Sequence, residues 1–216
     1  MKCIVLIAAP AAGKGTIAKY VEEKYNFKHV SAGDLLRDEV KRHTKIGEEI
    51  KSLLEKGILV KDSIVEEIFD KVFKNLKCNL ILDGMPRTLN QAKMLDNFDK
   101  KYDNVEIDKV IYIDIDKEKA ISRIKNRLIC ENCGKVYNSE LINNTECTKC
   151  GGNLVSRSDD ELDTYINRYN TFLKETLPLI DYYGDKVYKI SNNNTLEDVF
   201  KDVDKVFKGD EENGNN

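Results

Sequence analysis

The chain has 216 residues, with 35 Lys and Arg against 38 Asp and Glu and a net charge of −3, a length that suits one compact domain with a sizeable core. That balance excludes a global attraction to nucleic acid or to an anionic membrane surface, so any anion site has to be local. No stretch approaches the roughly 18 apolar residues that span a bilayer, and Met1-Lys2-Cys3 leads into a strand pattern rather than a signal peptide. A cytoplasmic protein with no obligate partner is therefore expected, in which six cysteines read as metal ligands or buried thiols rather than disulfides.

The apolar run Cys3-Ile4-Val5-Leu6-Ile7 predicts a buried strand. It is followed by Ala8-Ala9-Pro10-Ala11-Ala12-Gly13-Lys14-Gly15-Thr16 and a helical pattern from Lys14 to Tyr25, with Ile17, Ala18, Val21 and Tyr25 on its inner face. A strand that turns sharply into a helix aims backbone N–H groups and the positive end of the helix dipole at one spot, so this stretch reads as a phosphate-binding loop. Lys14 then supplies a point charge to the β- and γ-phosphates of a nucleotide, and the Thr16 hydroxyl meets a bound Mg²⁺. The plainer alternative is a small-residue turn that packs a helix on a sheet. Ala8 and Ala11 stand where such loops carry glycine; either the backbone keeps a negative φ there, or each costs roughly 1–3 kcal/mol of strain.

Phe27 to Val30 predicts a second strand, after which Ser31 caps a helix that carries Arg37 one turn inside. Ile46 to Glu55 and Asp62 to Lys74 are amphipathic helical patterns, separated by Gly57-Ile58-Leu59-Val60, a loop apolar enough to line a pocket. Asn79 to Asp83 is a strand pattern with an acid at its carboxyl end, Gly84-Met85-Pro86-Arg87-Thr88 the turn into another helix, and Lys109 to Asp114 a further strand. Strands alternating with helices predict a parallel sheet with helices on both faces, in which ligands bind beyond the carboxyl ends of the strands. Lys14 and Asp83 share that edge. There Asp83 either holds Mg²⁺ through water or caps a helix.

Lys117 to Leu128 predicts a helix with Arg123 and Arg127 on one face. Then come Cys130-Glu-Asn-Cys133-Gly and Cys147-Thr-Lys-Cys150-Gly-Gly, two Cys-x-x-Cys knuckles at the spacing of a tetrahedral structural Zn²⁺ site. Cys3 and Cys78 stand alone beside strands and read as core thiols. Arg157-Ser158-Asp159-Asp160 opens a long helix that contains Arg168 and has Leu162, Ile166, Tyr169, Leu173, Leu177 and Ile180 as its apolar face. Val187 to Ile190 is a last strand, Thr195 caps a helix from Leu196 to Phe207, and residues 208–216 are expected to be a disordered polar tail. His29 and His43 have no partner motif and receive no chemistry. No repeat is visible, and no linker is long enough to divide the chain.

Arg37, Arg87, Arg123, Arg127, Arg157 and Arg168 fall at segment ends or on marked helices. Singly, each reads as a solvated charge; gathered around a phosphate loop, they suit phosphoryl transfer between two anionic ligands, a reaction of positioning and charge neutralisation with little covalent work for the protein.

With these residues the chain resembles, over about residues 1–207, the adenylate kinases of the long, bacterial-type class with a zinc-binding lid. The resemblance rests on Ala8 to Thr16, Ser31 to Arg37, Gly57 to Val60, Asp83 to Thr88 with Gln91, Arg123 and Arg127, the four knuckle cysteines, and Arg157 to Asp160 with Arg168. It implies an α/β nucleotide-kinase fold with a five-stranded parallel sheet. The core would comprise residues 1–30, 61–126 and 158–207, the AMP-binding lobe residues 31–60 and the zinc lid residues 127–157. It also implies reversible, Mg²⁺-dependent transfer of a phosphoryl group from ATP to AMP, giving two ADP, by a cytoplasmic monomer that binds neither nucleic acid nor membrane.

By the same resemblance, Lys14, Arg87, Arg123, Arg157 and Arg168 would clamp the phosphates, and Asp83 and Asp159 would order Mg²⁺ and its waters. ATP would lie on Ala11, Ala12, Gly13, Lys14, Gly15 and Thr16, with Arg123 on its phosphates, Arg127, Tyr137 and the backbone near Asn194 around its base, and Val136 also in its site. AMP would meet Ala32, Arg37, Ile58, Leu59, Val60, Gly84, Met85, Arg87, Gln91, Arg157 and Arg168, while Cys130, Cys133, Cys147 and Cys150 would hold Zn²⁺. The chain departs from the family pattern at Ala8, Ala11, Ala32 and Met85; the first pair bears on ATP affinity, the second on AMP affinity. Rival readings are a UMP or CMP kinase of the same fold, against which the zinc lid and Gln91 count, a catalytically weak nucleotide-binding protein, and a zinc-ribbon nucleic-acid binder, which the acidic balance opposes.

Overall fold

The computed structural model describes residues 1–102, 105–157 and 160–213. Along the chain run β1 (Lys2–Ala8), α1 (Lys14–Tyr25), β2 (Lys28–Ser31), α2 (Ala32–Lys41), α3 (Lys45–Glu55), α4 (Asp62–Lys74), β3 (Leu80–Asp83), α5 (Leu89–Tyr102), β4 (Glu106–Asp114) and α6 (Lys117–Lys125). They are followed by β5 (Arg127–Cys130), β6 (Val136–Asn138), β7 (Leu154–Val155), α7 (Leu162–Thr171), α8 (Leu179–Tyr183), β8 (Val187–Ser191) and α9 (Leu196–Asn213).

β1 is apolar without alternation because both of its faces are covered. It lies at the centre of a five-stranded sheet of order β2-β3-β1-β4-β8 in which every pair is parallel. Successive residues of a strand point to opposite faces, so Cys3, Val5 and Ile7 join one core, with Phe69, Phe73 and Phe98, while Ile4, Leu6 and Ala8 join another, with Ile17, Val21, Val199 and Val203. The α/β architecture with helices on both faces is as the residue pattern predicts. Ser31 and Thr195 cap α2 and α9 as expected, their hydroxyls accepting from the Asp34 and Asp198 N–H groups at 3.2 and 3.3 Å. No helix among the described residues is long and apolar enough to cross a membrane.

β5, β6 and β7 form a separate three-stranded antiparallel sheet, order β6-β5-β7, which carries the cysteine knuckles. Here the expected helix from Lys117 to Leu128 is corrected. α6 stops at Lys125; Asn126 caps it, with Nδ2 donating to the Ser122 carbonyl at 3.1 Å, and Leu128 and Ile129 pair with Tyr137 and Val136 across the small sheet. Arg127 is thus a strand residue and does not share a helical face with Arg123.

The long helix after the lid is also corrected. Behind α7 the backbone makes a π turn over Phe172–Thr176, closed by the Leu177 N–H to the Phe172 carbonyl at 2.8 Å. The extra residue shifts the helical phase. The buried side chains are Thr164, Tyr165, Phe172, Thr176, Leu179 and Tyr183, whereas Leu162, Ile166 and Leu173 of the predicted apolar face are exposed. Cys3 is a core thiol as expected, but Cys78 is exposed, since it precedes β3 and lies outside its covered segment. The last helix continues to Asn213, past Phe207, where the polar tail was expected to begin.

Candidate active site

The turn between β1 and α1 wraps tightly. Ala12 N–H donates back to the Ala9 carbonyl at 3.3 Å, and Thr16 and Ile17 N–H groups donate to the Gly13 carbonyl at 3.1 and 3.2 Å. Gly13 has φ +88° and Ala11 φ +61°, whereas Ala8 remains within β1 at a negative φ. Of the two glycine departures, Ala8 is therefore free of backbone strain and Ala11 pays for a left-handed conformation. Lys14 folds back over the loop, its Nζ donating to the Ala8 and Ala9 carbonyls at 3.3 and 3.2 Å. Burial lowers its pKa to about 8; Asp83 works against that shift, and Arg87, Arg127 and Arg168 work with it.

Asp83 ends β3 in register with Leu6 of β1 and Ser31 of β2. A Cβ on Gly15 would stand 3.9 Å from its Oδ2, so the carboxylate lies against the phosphate loop. Burial pushes the acid up, yet the neighbouring His29, Lys14 and Arg87 hold it below its ordinary value. His29 Nε2 is 3.7 Å from Asp83 Oδ2; burial alone would lower its pKa, but Asp83, Glu22 and Asp34 raise it.

The arginines converge from separate elements. Arg87 Nε donates to the Gly84 carbonyl at 3.0 Å, and the Arg87 carbonyl accepts from Thr176 Oγ1 at 2.8 Å. Burial lowers the Arg87 pKa and the charges of Arg168 and Arg37 lower it further, the mark of cations crowded around a common point. Gly84, at φ +79°, makes room for that guanidinium, since a Cβ there would meet Arg87 Nη2 at 3.2 Å and Ala32 Cβ at 3.8 Å. Arg37 pairs with Asp34 of its own helix at 2.5 Å. Arg168 Nη2 donates to the Leu54 carbonyl at 3.3 Å, and Gly57 approaches so closely that a Cβ would sit 2.9 Å from Arg168 Cγ. Arg157 is half-buried immediately after β7.

Other expected contacts fall less simply. Gln91 is 2% exposed, accepting from the Arg87 N–H at 2.8 Å and donating to Asp62 Oδ1 at 2.8 Å; its carboxamide is engaged in the fold. Met85 is wholly buried and Val60 nearly so, while Ile58 is exposed and Leu59 half-buried beside it. Val136 and Asn194 are exposed. The Tyr137 hydroxyl accepts from the Thr148 N–H at 3.0 Å and lies 3.2 Å from Cys147 Sγ, so it braces the second knuckle. Arg127 faces Asp160, Nη2 donating to Oδ1 at 2.9 Å and Nε 2.8 Å from Oδ2. Asp159 lies outside the described residues.

In the lid, the sulfurs of Cys130, Cys133, Cys147 and Cys150 all lie within 4.8 Å of one another, with Cys130–Cys150 at 3.4 Å and Cys133–Cys147 at 3.5 Å. A tetrahedron of thiolates about 2.3 Å from a zinc ion has edges of about 3.8 Å, so this cluster fits a metal of that kind. Each knuckle closes alike: Gly134 and Gly151, at φ +69° and +72°, donate to the Cys130 and Cys147 carbonyls at 2.9 and 2.8 Å.

Sequence reasoning gave no site role to His29, Asp160 or Asn192, although Asp160 lies in the motif that follows the lid. His29 was legible only once β2 was known to adjoin β3. Asn192, in the polar run that follows the last strand, had a signal: that run lies at the carboxyl edge of the sheet, where ligands bind.

The model of the adenylate kinase family matches residues 6–188. Among curated proteins, the adenylate kinase of Petrotoga mobilis is 38% identical over 210 residues, covering 95% of this chain and 97% of that protein. That of Fervidobacterium nodosum is 37% identical over 213 residues, with 95% and 97% covered, and that of Archaeoglobus fulgidus 38% over 212 residues, with the same coverage. A phosphate loop, a convergent set of arginines and a four-cysteine lid thus coincide with likeness along nearly the whole chain, which belongs to the adenylate kinase family of nucleoside monophosphate phosphotransferases.

Proposed function

We propose that the chain transfers the γ-phosphoryl group of ATP to AMP, reversibly and with Mg²⁺, giving two ADP. The observation that carries this reading is the convergence of Lys14, Arg87 and Arg168, with Arg127 and its partner Asp160 beside them, on Asp83 at the phosphate loop; burial and this excess of positive charge lower the pKa values of Lys14 and Arg87, and the phosphates of two nucleotides would neutralise it.

In this reading ATP lies on residues 11–16, with Arg123, Arg127, Val136, Tyr137 and Asn194 around it. AMP lies between Ala32, Arg37, Ile58, Leu59, Gly84 and Arg87, with Arg157 and Arg168 on the phosphates. Val60, Met85 and Gln91 support that pocket from behind, in keeping with their burial. An AMP phosphate oxygen forms the new bond to the γ-phosphorus as the bond to the β,γ-bridging oxygen breaks, and ADP leaves. Lys14 holds the moving group, and the arginines keep donor and acceptor in line.

Asp83, kept ionised by its neighbours, would hold Mg²⁺ through water with the exposed Thr16 hydroxyl and Asp159; the ion would supply positive charge that offsets the charge developing on the transferred phosphoryl group. The four lid thiolates would hold Zn²⁺ with no position left for a substrate, a structural site. Residues 31–60 and 127–157 would act as acceptor lobe and lid on the core, with a cytoplasmic monomer as the working form.

The test is ADP formation from ATP and Mg²⁺ with AMP, GMP, CMP or UMP as acceptor. Rapid turnover with AMP alone is expected. Preference for another acceptor would move the assignment within the fold, and tight ATP binding without turnover on any of them would refute it.

A further inference from the structure

Asn192 lies in the turn between β8 and α9 and is 5% exposed, its N–H donating to the Asp114 carbonyl at 2.8 Å. Both ends of its carboxamide are used. Nδ2 donates to the Ala12 carbonyl of the phosphate loop at 2.7 Å, and Oδ1 accepts from Arg123 Nη2 at 3.1 Å, with the Asn192 carbonyl accepting from the same nitrogen at 3.3 Å. The orientation of the amide follows from its partners, since a carbonyl can only accept and a guanidinium can only donate. Gly13 is what admits it: a Cβ there would stand 2.5 Å from Nδ2 and 3.5 Å from Arg123 Nη1.

Among the described residues, Arg123 hydrogen-bonds to Asn192 alone and pairs with no carboxylate. A guanidinium paired with an acid has its charge largely satisfied; one held by neutral oxygens is fixed in place with its charge available to an anion. We propose that Asn192 is the positioning residue that holds Arg123 against the phosphate loop as an uncompensated cation, so that the phosphates of ATP meet loop and arginine in one fixed arrangement. This rests on the reading of residues 11–16 as the ATP site.

The experiment compares wild type, Asn192→Ala and Asn192→Asp by ATP binding in a calorimeter without acceptor, and by steady-state kinetics with ATP and AMP varied separately. Asn192→Ala should weaken ATP binding and lower kcat/KM for ATP about tenfold, while KM for AMP stays within about twofold. Asn192→Asp, nearly the same size, should be worse than Ala, because its carboxylate neutralises Arg123 and faces the Ala12 carbonyl. A space-filling residue would rank the two the other way. Wild-type ATP affinity in either variant, or an Asp variant better than the Ala variant, would overturn the proposal. If Asn192→Ala fails to fold, Asn192→Asp in an Arg123→Ala background decides: the Asp penalty should largely vanish there, and a full penalty refutes a role through Arg123. A wild type that binds ATP but does not phosphorylate AMP would overturn the proposed reaction, leaving the ranking of ATP affinities to judge Asn192.

Discussion

Lys14 illustrates how a functional residue can weaken the fold that carries it. Its ammonium is held by two carbonyls among three arginines, and its pKa falls to about 8 from an ordinary 10.5. A lysine with a depressed folded pKa binds fewer protons when folded than when unfolded between those values, so stability rises as the pH climbs from about 8 towards 10.5. Lys14→Ala should therefore lower kcat by on the order of a hundredfold or more while raising the melting temperature of the nucleotide-free protein at pH 7. That gain should shrink as the pH passes 8. Equal turnover, or a stability loss at pH 7, would contradict the role. The two alanines of the loop should respond with opposite signs. Ala11→Gly relieves a left-handed alanine at roughly 1–2 kcal/mol but adds roughly 0.4–1 kcal/mol of unfolded-state entropy, so denaturant melts should show a small gain. Ala8→Gly relieves nothing and should cost about 1 kcal/mol, with unchanged ATP affinity. The residue types of this loop were legible in the sequence; which alanine bears strain was not, because φ is set by the turn as a whole.

At the scale of elements, strands and helices of the core could be read because their apolar runs are covered on fixed faces. Two boundaries could not. Leu128 and Ile129 suit a helix or a strand equally, and only pairing with Val136 and Tyr137 decides for the strand; the π turn over Phe172–Thr176 leaves no mark in a 3.6-residue pattern. The lid was legible for another reason: its chemistry is in its cysteine spacing. Among its described residues the buried side chains are Cys130 and Cys147, so the lobe has thiols where a domain would have an apolar core, which suits the proposed structural Zn²⁺. Chelation should lower the melting temperature more than it lowers affinity for AMP, whose proposed contacts lie mostly outside the lid. An unchanged melting curve after the metal is verifiably gone would exclude a structural ion.

At the scale of the whole molecule, three parts of the chain meet on α7, the residue Asp160 before it and the π turn after it. Thr164 Oγ1 and Arg168 donate to the Glu55 and Leu54 carbonyls at the end of α3, Thr176 reaches Arg87, and Asp160 grips Arg127. That last pair has a consequence for closure. Arg127 opens β5 of the small antiparallel sheet and Asp160 follows its last strand, β7, so the ion pair joins the two stems of the proposed lid at its base. It is also well buried, with side-chain exposures of 17% and 5%, where a charge pair is weakly screened. Asp160→Asn keeps the shape and one acceptor while removing the charge, so the lid should fold yet close less firmly. Water then competes with the acceptor for the phosphoryl group, since a closed site is what excludes it. ATP hydrolysis in the absence of AMP, divided by the rate of ADP formation in its presence, should rise at least about threefold, and KM for ATP should rise with it. If both stay at wild-type values while the melting temperature falls, the pair serves stability alone and closure of the lid depends on other contacts.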